Sequence, residues 1–351
     1  MANSSLFTRY SGVRMAIQFN REGFIASLQQ SVQIVDDAQQ FGQELATRID
    51  RIYFVSCGAP NRIMLGLQYW IERYSHSLEV RRYFPADFMD IDPPRLDERT
   101  LVVLASKSGT TQETIAAAHF LQGKPCLTVG VTQTAGLPLA KAVQHCFLLG
   151  PTDEAYFGCF MILQALVGGI LAKREGWPLL DKLTRSLKAL PQALADAAIN
   201  NDQRATEEAR LYKDDRVMYF LASGPMFTTA YVFGVCVVME SQWLHCLPVE
   251  AAEFFHGPFE AIDSSTPLLL LVGEDPSRAQ MERVVSFCQR YTERVMIYDS
   301  KDFPMVGIEP EIRAMVAPYI VGIAAERIAA HLAVWHQQPL TTRRYMWKTE
   351  Y

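Results

Sequence analysis

Between Leu101 and Phe120 the chain reads LVVLASKSGTTQETIAAAHF, and this stretch limits the fold more than any other. Leu101 to Ala105 is an unbroken apolar run, which suits a strand covered on both faces, and such strands belong to parallel sheets flanked by helices. From Thr114 onward the residues are rich in alanine and free of Gly and Pro, which predicts a helix. Between the two lies Ser106-Lys107-Ser108-Gly109-Thr110-Thr111, with four hydroxyls, one ammonium and one glycine in six residues. It falls where a helix N-terminus leaves backbone N–H groups without partners, a combination that suits a dianionic phosphate. A hydroxyl-rich helix cap has a similar composition but needs only one or two such side chains. No Gly-Lys-Ser/Thr closes the turn, so a nucleoside triphosphate is not implied.

The same strand, turn and helix order recurs along the chain. Arg51 to Ser56 reads as a strand, Cys57-Gly58-Ala59-Pro60 as a turn and Asn61 to Tyr74 as a helix. Further strands are predicted at Val80 to Phe84, Pro125 to Gly130 and Cys146 to Leu149, and one or two helices over Phe24 to Thr47. Residues 1 to 20 show no period and read as a loose arm or a tail exchanged within a dimer. From Gly150 to Asp214 helical patterns dominate. Strand, turn and helix then return as Val217 to Ala222, Ser223-Gly224-Pro225 and Thr228 to Trp243, followed by a strand over Thr266 to Val272 and a helix ending at Arg290. This order is that of an internally duplicated α/β domain. The copies differ at their second loop. SKSGTT in the first half is replaced by Gly273-Glu274-Asp275-Pro276 in the second, where two carboxylates would repel a phosphate. One phosphate pocket per chain, in the first half, is therefore expected.

At 351 residues, 49% of them hydrophobic, the chain has material for two cores. A net charge of -5 without any Lys/Arg run gives no sign of nucleic acid or an anionic membrane as partner. The seven cysteines are odd in number and contain no C-x-x-C pair, so they read as free thiols in a reducing compartment. The first twenty residues lack the apolar core of a secretion signal, and a cytoplasmic location is expected. Tyr156 to Ala172 is apolar but includes Gln164 and three glycines, and reads as a buried or dimer-facing helix instead of a membrane span. His76, His119, His145, His245, His331 and His336 show no metal-ligand spacing, and no metal site is predicted.

The Cys57-Gly58 turn, the Ser106 to Thr111 turn and Glu253-Phe254-Phe255-His256-Gly257-Pro258 together resemble the sugar isomerase (SIS) phosphosugar-binding family over residues 30 to 350. The resemblance implies an α/β protein of two tandem SIS-type domains, each a mostly parallel, flavodoxin-like sheet flanked by helices. The division it suggests is an N-terminal arm (1–30), a first, phosphate-binding domain (31–195), a second domain (196–335) and a C-terminal tail (336–351). By position, Ser106, Lys107, Ser108 and Thr111 would surround the sugar phosphate, and Cys57, Gly58 and Ala59 would offer the sugar backbone groups. The isomerase part of glucosamine-6-phosphate synthase has a helix glutamate followed sixteen residues later by the histidine of a His-Gly-Pro turn; here that pair is Glu240 and His256. Met239 to His245, Glu253 to Glu260 and Pro339 to Lys348 are most similar to bacterial deglycases of Amadori products. Two departures stand out: Val237 occupies the place of a template lysine, and Ala59 and Pro60 replace hydroxyls after Cys-Gly.

What the resemblance implies is a deglycase that splits a 6-phosphorylated fructosamine into an aldose 6-phosphate and a free amine. Glu240 would move protons between C1 and C2, and His256, lent by the neighbouring subunit of a homodimer or larger assembly, would open the ring. No cofactor is called for, because the substrate's own nitrogen stabilises the intermediate. Arg343, Arg344 and Lys348 would either reach the substrate's amino-acid carboxylate or hold the tail in the dimer. The residues alone leave rivals open: Glu250, Glu253 and Glu260 are nearby carboxylates, and His256 could cap a turn. An aldose-ketose phosphosugar isomerase or amino-sugar phosphate deaminase is the alternative enzyme reading. A sugar-phosphate sensor would need a DNA-binding segment, and residues 1 to 50 show no basic helix-turn-helix.

Overall fold

The computed structural model describes residues 9–10, 13–14 and 18–350. The arm expected over residues 1 to 20 lies mostly outside them; within it, β1 (Arg9–Tyr10) and β2 (Val13–Arg14) pair antiparallel. The described chain divides into two compact units, one formed by 22–192 with 306–315, the other by 193–305 and 316–350 together with the described residues up to Arg21.

The first unit is built on β3 (Arg51–Val55), β4 (Glu79–Tyr83), β5 (Thr100–Ala105), β6 (Leu127–Thr132) and β7 (His145–Leu148), all parallel and ordered β4-β3-β5-β6-β7. All six residues of β5 are buried, as the unbroken apolar run requires of a central strand. Tyr53, Val55, Val102 and Leu104 meet Ala117, Ala118 and Leu121 at the helix Gln112–Phe120, while Ile52, Phe54, Leu101 and Val103, the alternate residues, are buried as well. The N-terminal helical stretch is three helices, Arg21–Ser27, Gln29–Gln33 and Val35–Leu45, not one or two, because turns at Leu28 and Ile34 interrupt it. The apolar stretch over Tyr156 to Ala172 lies in the buried helix Ala155–Glu175. A Cβ at Gly42 would land on the Leu166 carbonyl and one at Gly169 on the Gln39 carbonyl, so two glycines let this helix press against Val35–Leu45. Among the described residues two helices, this one and Arg313–His336, are long and apolar enough to cross a membrane, and 89% of each apolar window is buried inside the protein.

The second unit carries β8 (Val217–Ala222), β9 (His245–Glu250), β10 (Leu268–Val272) and β11 (Val295–Asp299), all parallel and ordered β11-β10-β8-β9. Its core joins Leu221, Leu268, Leu270 and Val272 to Phe254, Met281, Val284 and Cys288. The first four strands of the other sheet, β4-β3-β5-β6, follow the same plan, so the duplication legible in the sequence is a repeat of topology. The edge strand β9 escaped the sequence reading because Pro248 and two exposed positions, His245 and Leu247, hide its period.

One predicted helix changes character. Thr228 to Trp243 is not a uniform α-helix: Phe227–Tyr231 is α-helical, Val232–Met239 is a π-helix, and Glu240–Gln242 is a short α-turn ended by Trp243 at φ 57°. π-turns occur mostly at functional sites, and this one delivers Glu240.

Candidate active site

In a sheet ordered β4-β3-β5-β6-β7 the chain leaves β3 to one side and returns on the other, so the carboxyl ends of β3 and β5 flank the crevice where open α/β sheets take ligands. Val55 pairs with Leu104, which brings the residues after each strand together. After β3 the helix Gly58–Tyr74 begins at once, with Cys57 as its N-cap. The helix expected from Asn61 thus starts three residues earlier, because Pro60 fits the first turn, where its missing N–H is no loss. Asn61 is buried and donates to the Ser56 and Tyr83 carbonyls at 2.8 and 3.0 Å while accepting from Arg82, which ties the turn to two strands.

After β5, Ser106 is buried and central to the turn. Its Oγ lies 2.8 Å from Thr111 Oγ1 and 3.5 Å from Ser108 Oγ, and the Gly109 N–H donates to it at 3.1 Å. Thr110 donates to Ser108 Oγ from both its N–H (3.2 Å) and its hydroxyl (2.9 Å). Gly109 takes φ +59°, and a Cβ there would sit 2.6 Å from Leu137 Cβ, so the loop is pressed against the start of the next helix. Neither Thr111, the N-cap of Gln112–Phe120, nor Cys57 caps its helix with a side chain. Two helix N-termini therefore meet the crevice with their N–H groups uncapped and positive. Ser106, Ser108 and Thr111 come together as the sequence places them. Lys107 points elsewhere: its Nζ rests 3.2 Å from the Asp153 carbonyl and the side chain is half exposed. Burial pushes the Cys57 thiol up, aided by the charge of Glu113, so it is a poor nucleophile and its neighbours offer backbone groups.

In the second unit Glu240 ends the π-helix, half-buried, and its Oε2 lies 3.1 Å from Arg343 Nη2. Burial raises the Glu240 carboxyl above its ordinary value, and the Arg343 guanidinium opposes that shift. The C-terminal segment that carries Arg343 is fastened to the same helix end. Gln242 Nε2 donates to the Gln338 carbonyl at 3.0 Å, Gln338 Nε2 to the Ser241 carbonyl at 2.5 Å, and His336 Nδ1 lies 3.0 Å from Gln242 Oε1. Arg344 stacks on Trp243 with its Cζ 3.8 Å from the ring centroid, and Lys348 Nζ donates to the Arg343 carbonyl at 2.6 Å. The Arg343 to Glu240 pairing was not foreseen: the two stand 103 residues apart (343 − 240), and no local pattern joins them. His256 is exposed on the turn after Ala251–Phe254, its N–H donating to the Glu253 carbonyl at 2.9 Å, with Gly257 at φ 137°.

No family model matches the chain. It is 33% identical to the fructosamine deglycase FrlB of Bacillus subtilis (strain 168) over 327 residues, which are 92% of this chain and 99% of that one. A crystal structure from Bacillus subtilis, of the phosphosugar isomerase class, superposes with a TM-score of 0.86 at 32% identity, covering 92% of this chain and 99% of that chain. This chain belongs to the SIS family. Further relatives are the agropine synthesis conjugase of Rhizobium rhizogenes, 35% identical over 84% of both chains, and the fructoselysine 6-phosphate deglycase of Escherichia coli K12, 28% identical over 86% of this chain and 87% of that one.

Proposed function

We propose that this SIS protein is a deglycase that cleaves a 6-phosphorylated Amadori product, a 1-amino-1-deoxyketose such as fructoselysine 6-phosphate, into an aldose 6-phosphate and the free amine. The end-to-end similarity to a fructosamine deglycase carries the reading. A hydroxyl-lined cradle at Ser106, Ser108 and Thr111 and a half-buried carboxylate at Glu240 supply chemistry that fits it.

The cradle and the two helix N-termini hold the phosphate, with Lys107 swinging from Asp153 as a further cation. Cys57, Gly58 and Ala59 face the sugar. His256, contributed by the other subunit of a homodimer, passes a proton to the ring oxygen and opens the ring. Glu240 takes a proton from C1, giving an enaminol, and returns one to C2, which leaves an aldimine. Water adds to the aldimine carbon, and the C–N bond breaks to give the aldehyde and the amine. The C2 carbonyl takes up the electron pair left at C1, the substrate's nitrogen lone pair pushes it back as C2 is protonated, and the reaction runs in the cytoplasm, where phosphorylated sugars and reduced thiols coexist.

The test is to incubate the protein with fructoselysine 6-phosphate, other phosphorylated Amadori compounds and fructose 6-phosphate, following free amino acid and glucose 6-phosphate. Release of amine supports the proposal. Conversion of fructose 6-phosphate to glucose 6-phosphate without amine release would favour the isomerase reading. Glu240→Gln and His256→Ala are each expected to lower turnover by about 100- to 10,000-fold while phosphosugar still binds. Mixing the two inactive variants tests the shared site: in mixed dimers one site regains both residues, and roughly a quarter of the activity returns.

A further inference from the structure

We propose that Arg343 is a positioning residue for the base: its guanidinium, brought in by the C-terminal segment, holds the Glu240 carboxylate ionised and in one orientation. The proposal rests on the reading of Glu240 as the group that moves protons between C1 and C2. It starts from the pairing itself, Nη2 to Oε2 at 3.1 Å, made by an arginine whose side chain is only 15% exposed and whose Nε finds no hydrogen-bond partner. A guanidinium is desolvated and left partly unsatisfied in this way only where its location is fixed by other contacts. Those contacts are on the page: Gln338 is bonded to Ser241 and Gln242, Arg344 lies on Trp243, and Arg343 Nη1 donates to the Leu340 and Thr342 carbonyls at 2.9 and 2.8 Å. Residues 338 to 344 thus form a clamp in which Arg344 rests on Trp243 and Arg343 meets the Glu240 carboxylate.

The surroundings of Glu240 explain why such a partner is needed. The π-helix that precedes it, Val232–Met239, is wholly apolar, so nothing on its own element can stabilise a negative charge. Among the elements packed on that helix, Phe227–Tyr231 presents Tyr231, and β9 presents His245, which is exposed, and Glu250. The charged side chain paired with the Glu240 carboxyl is Arg343, and it opposes the effect of burial. A base that must pick up a C1 proton has to be ionised when substrate arrives, yet apolar surroundings push it toward the neutral form. The guanidinium counters that push, and its Nη2 contact directs Oε2 of the carboxylate.

The experiment uses the full chain with Arg343→Gln and Arg343→Lys. The acid limb of kcat/KM is expected to move to higher pH in Arg343→Gln, so that the variant loses at least ~10-fold near pH 6 yet stays within about threefold of the parent above pH 8, and Arg343→Lys should restore part of the shift. A proportional loss at every pH, or an unmoved limb, would overturn the proposal. A second readout does not depend on turnover: infrared titration of protein labelled with 13C-carboxyl glutamate, with the Glu240 band identified by its absence in Glu240→Gln. That midpoint should rise in Arg343→Gln; an unchanged midpoint refutes the pairing. If no Amadori compound is cleaved by the parent protein, the functional reading fails on its own, and the titration still decides whether Arg343 holds the charge of Glu240.

Discussion

The two halves of the chain put the same strand order to opposite uses. In each, a first strand is flanked by the second on one side and the third on the other, so each has a switch-point crevice between the carboxyl ends of its first and third strands. In the first unit that crevice is lined by Ser106, Ser108 and Thr111 and faced by two uncapped helix N-termini, an arrangement with donors to spare. In the second the crevice is already filled. Asp275, buried at 3% exposure, accepts from the Ser277 N–H at 2.9 Å and from the Ser277 hydroxyl at 2.5 Å, and Ser277 Oγ also meets Ser223 Oγ at 2.8 Å. Gly224 comes so close that a Cβ there would lie 2.6 Å from Ser277 Oγ and 2.9 Å from Asp275 Oδ1. The second unit carries its anion in its own sequence. The side chain of Asp275 thus accepts, within the second unit, from donors of its own loop, whereas the matching turn of the first unit has no carboxylate.

The sharpest way to break this comparison is to transplant the difference. Ser106→Asp places a carboxylate in the open crevice, and like charges brought together cost several kcal/mol, so phosphosugar binding and kcat/KM should fall by about 1,000-fold while circular dichroism and melting stay near those of the parent. Retained binding at micromolar substrate would show that the anion sits elsewhere. Next in size, Asp275→Ala leaves the Ser277 donors unsatisfied and should lower stability by about 2 kcal/mol in urea unfolding. Calorimetry should still count one phosphosugar per chain, and a second bound anion in that variant would sharpen the picture by reopening that crevice. Gly109→Ala must be accommodated against Leu137 at a left-handed φ and is expected to lose about 1–3 kcal/mol of stability and to raise KM; Gly58→Ala, also left-handed (φ +57°) but with open space at its Cβ, should lose only about 1 kcal/mol. The smallest effect belongs to Lys107→Met. Its ammonium is half exposed and rests on Asp153, so KM should rise less than about tenfold, more at low salt than at high, as expected of a screened surface charge.

The pH dependence of turnover separates the two units' contributions. Because burial raises the Glu240 carboxyl and the base must be ionised to act, activity falls as pH drops through that raised value, above the range where an ordinary glutamate would titrate. Ser106, Ser108 and Thr111 do not titrate in this range, so phosphosugar binding should follow only the second ionisation of the ligand's own phosphate, near pH ~6. A binding curve that fell in step with kcat would tie the limb to the phosphate instead.

Much of this was legible in the chain itself. The unbroken run at Leu101 to Ala105 marked a central parallel strand, because a strand covered on both faces buries all five of these residues in succession. The hydroxyl turn after it marked the crevice, and GEDP against SKSGTT marked which copy carries carboxylates in that loop. These signals are local, carried by neighbours in sequence. What the tertiary structure alone decided is long-range. Asp275 reaching Ser277 and, through it, Ser223 across 52 residues (275 − 223) turned a repelling loop into a filled one. The π-helix at Val232–Met239 is invisible to a periodicity search, since its residues are apolar all round and give no face to time a turn by. Arg343 could be read from sequence as a substrate ligand or a tail anchor; its place beside Glu240 comes from the docking of Gln338 and Arg344 on the far end of that helix. Sequence pattern sets which faces are buried and where backbone donors are left open, while the partner of a buried charge is chosen only when distant segments are folded against one another.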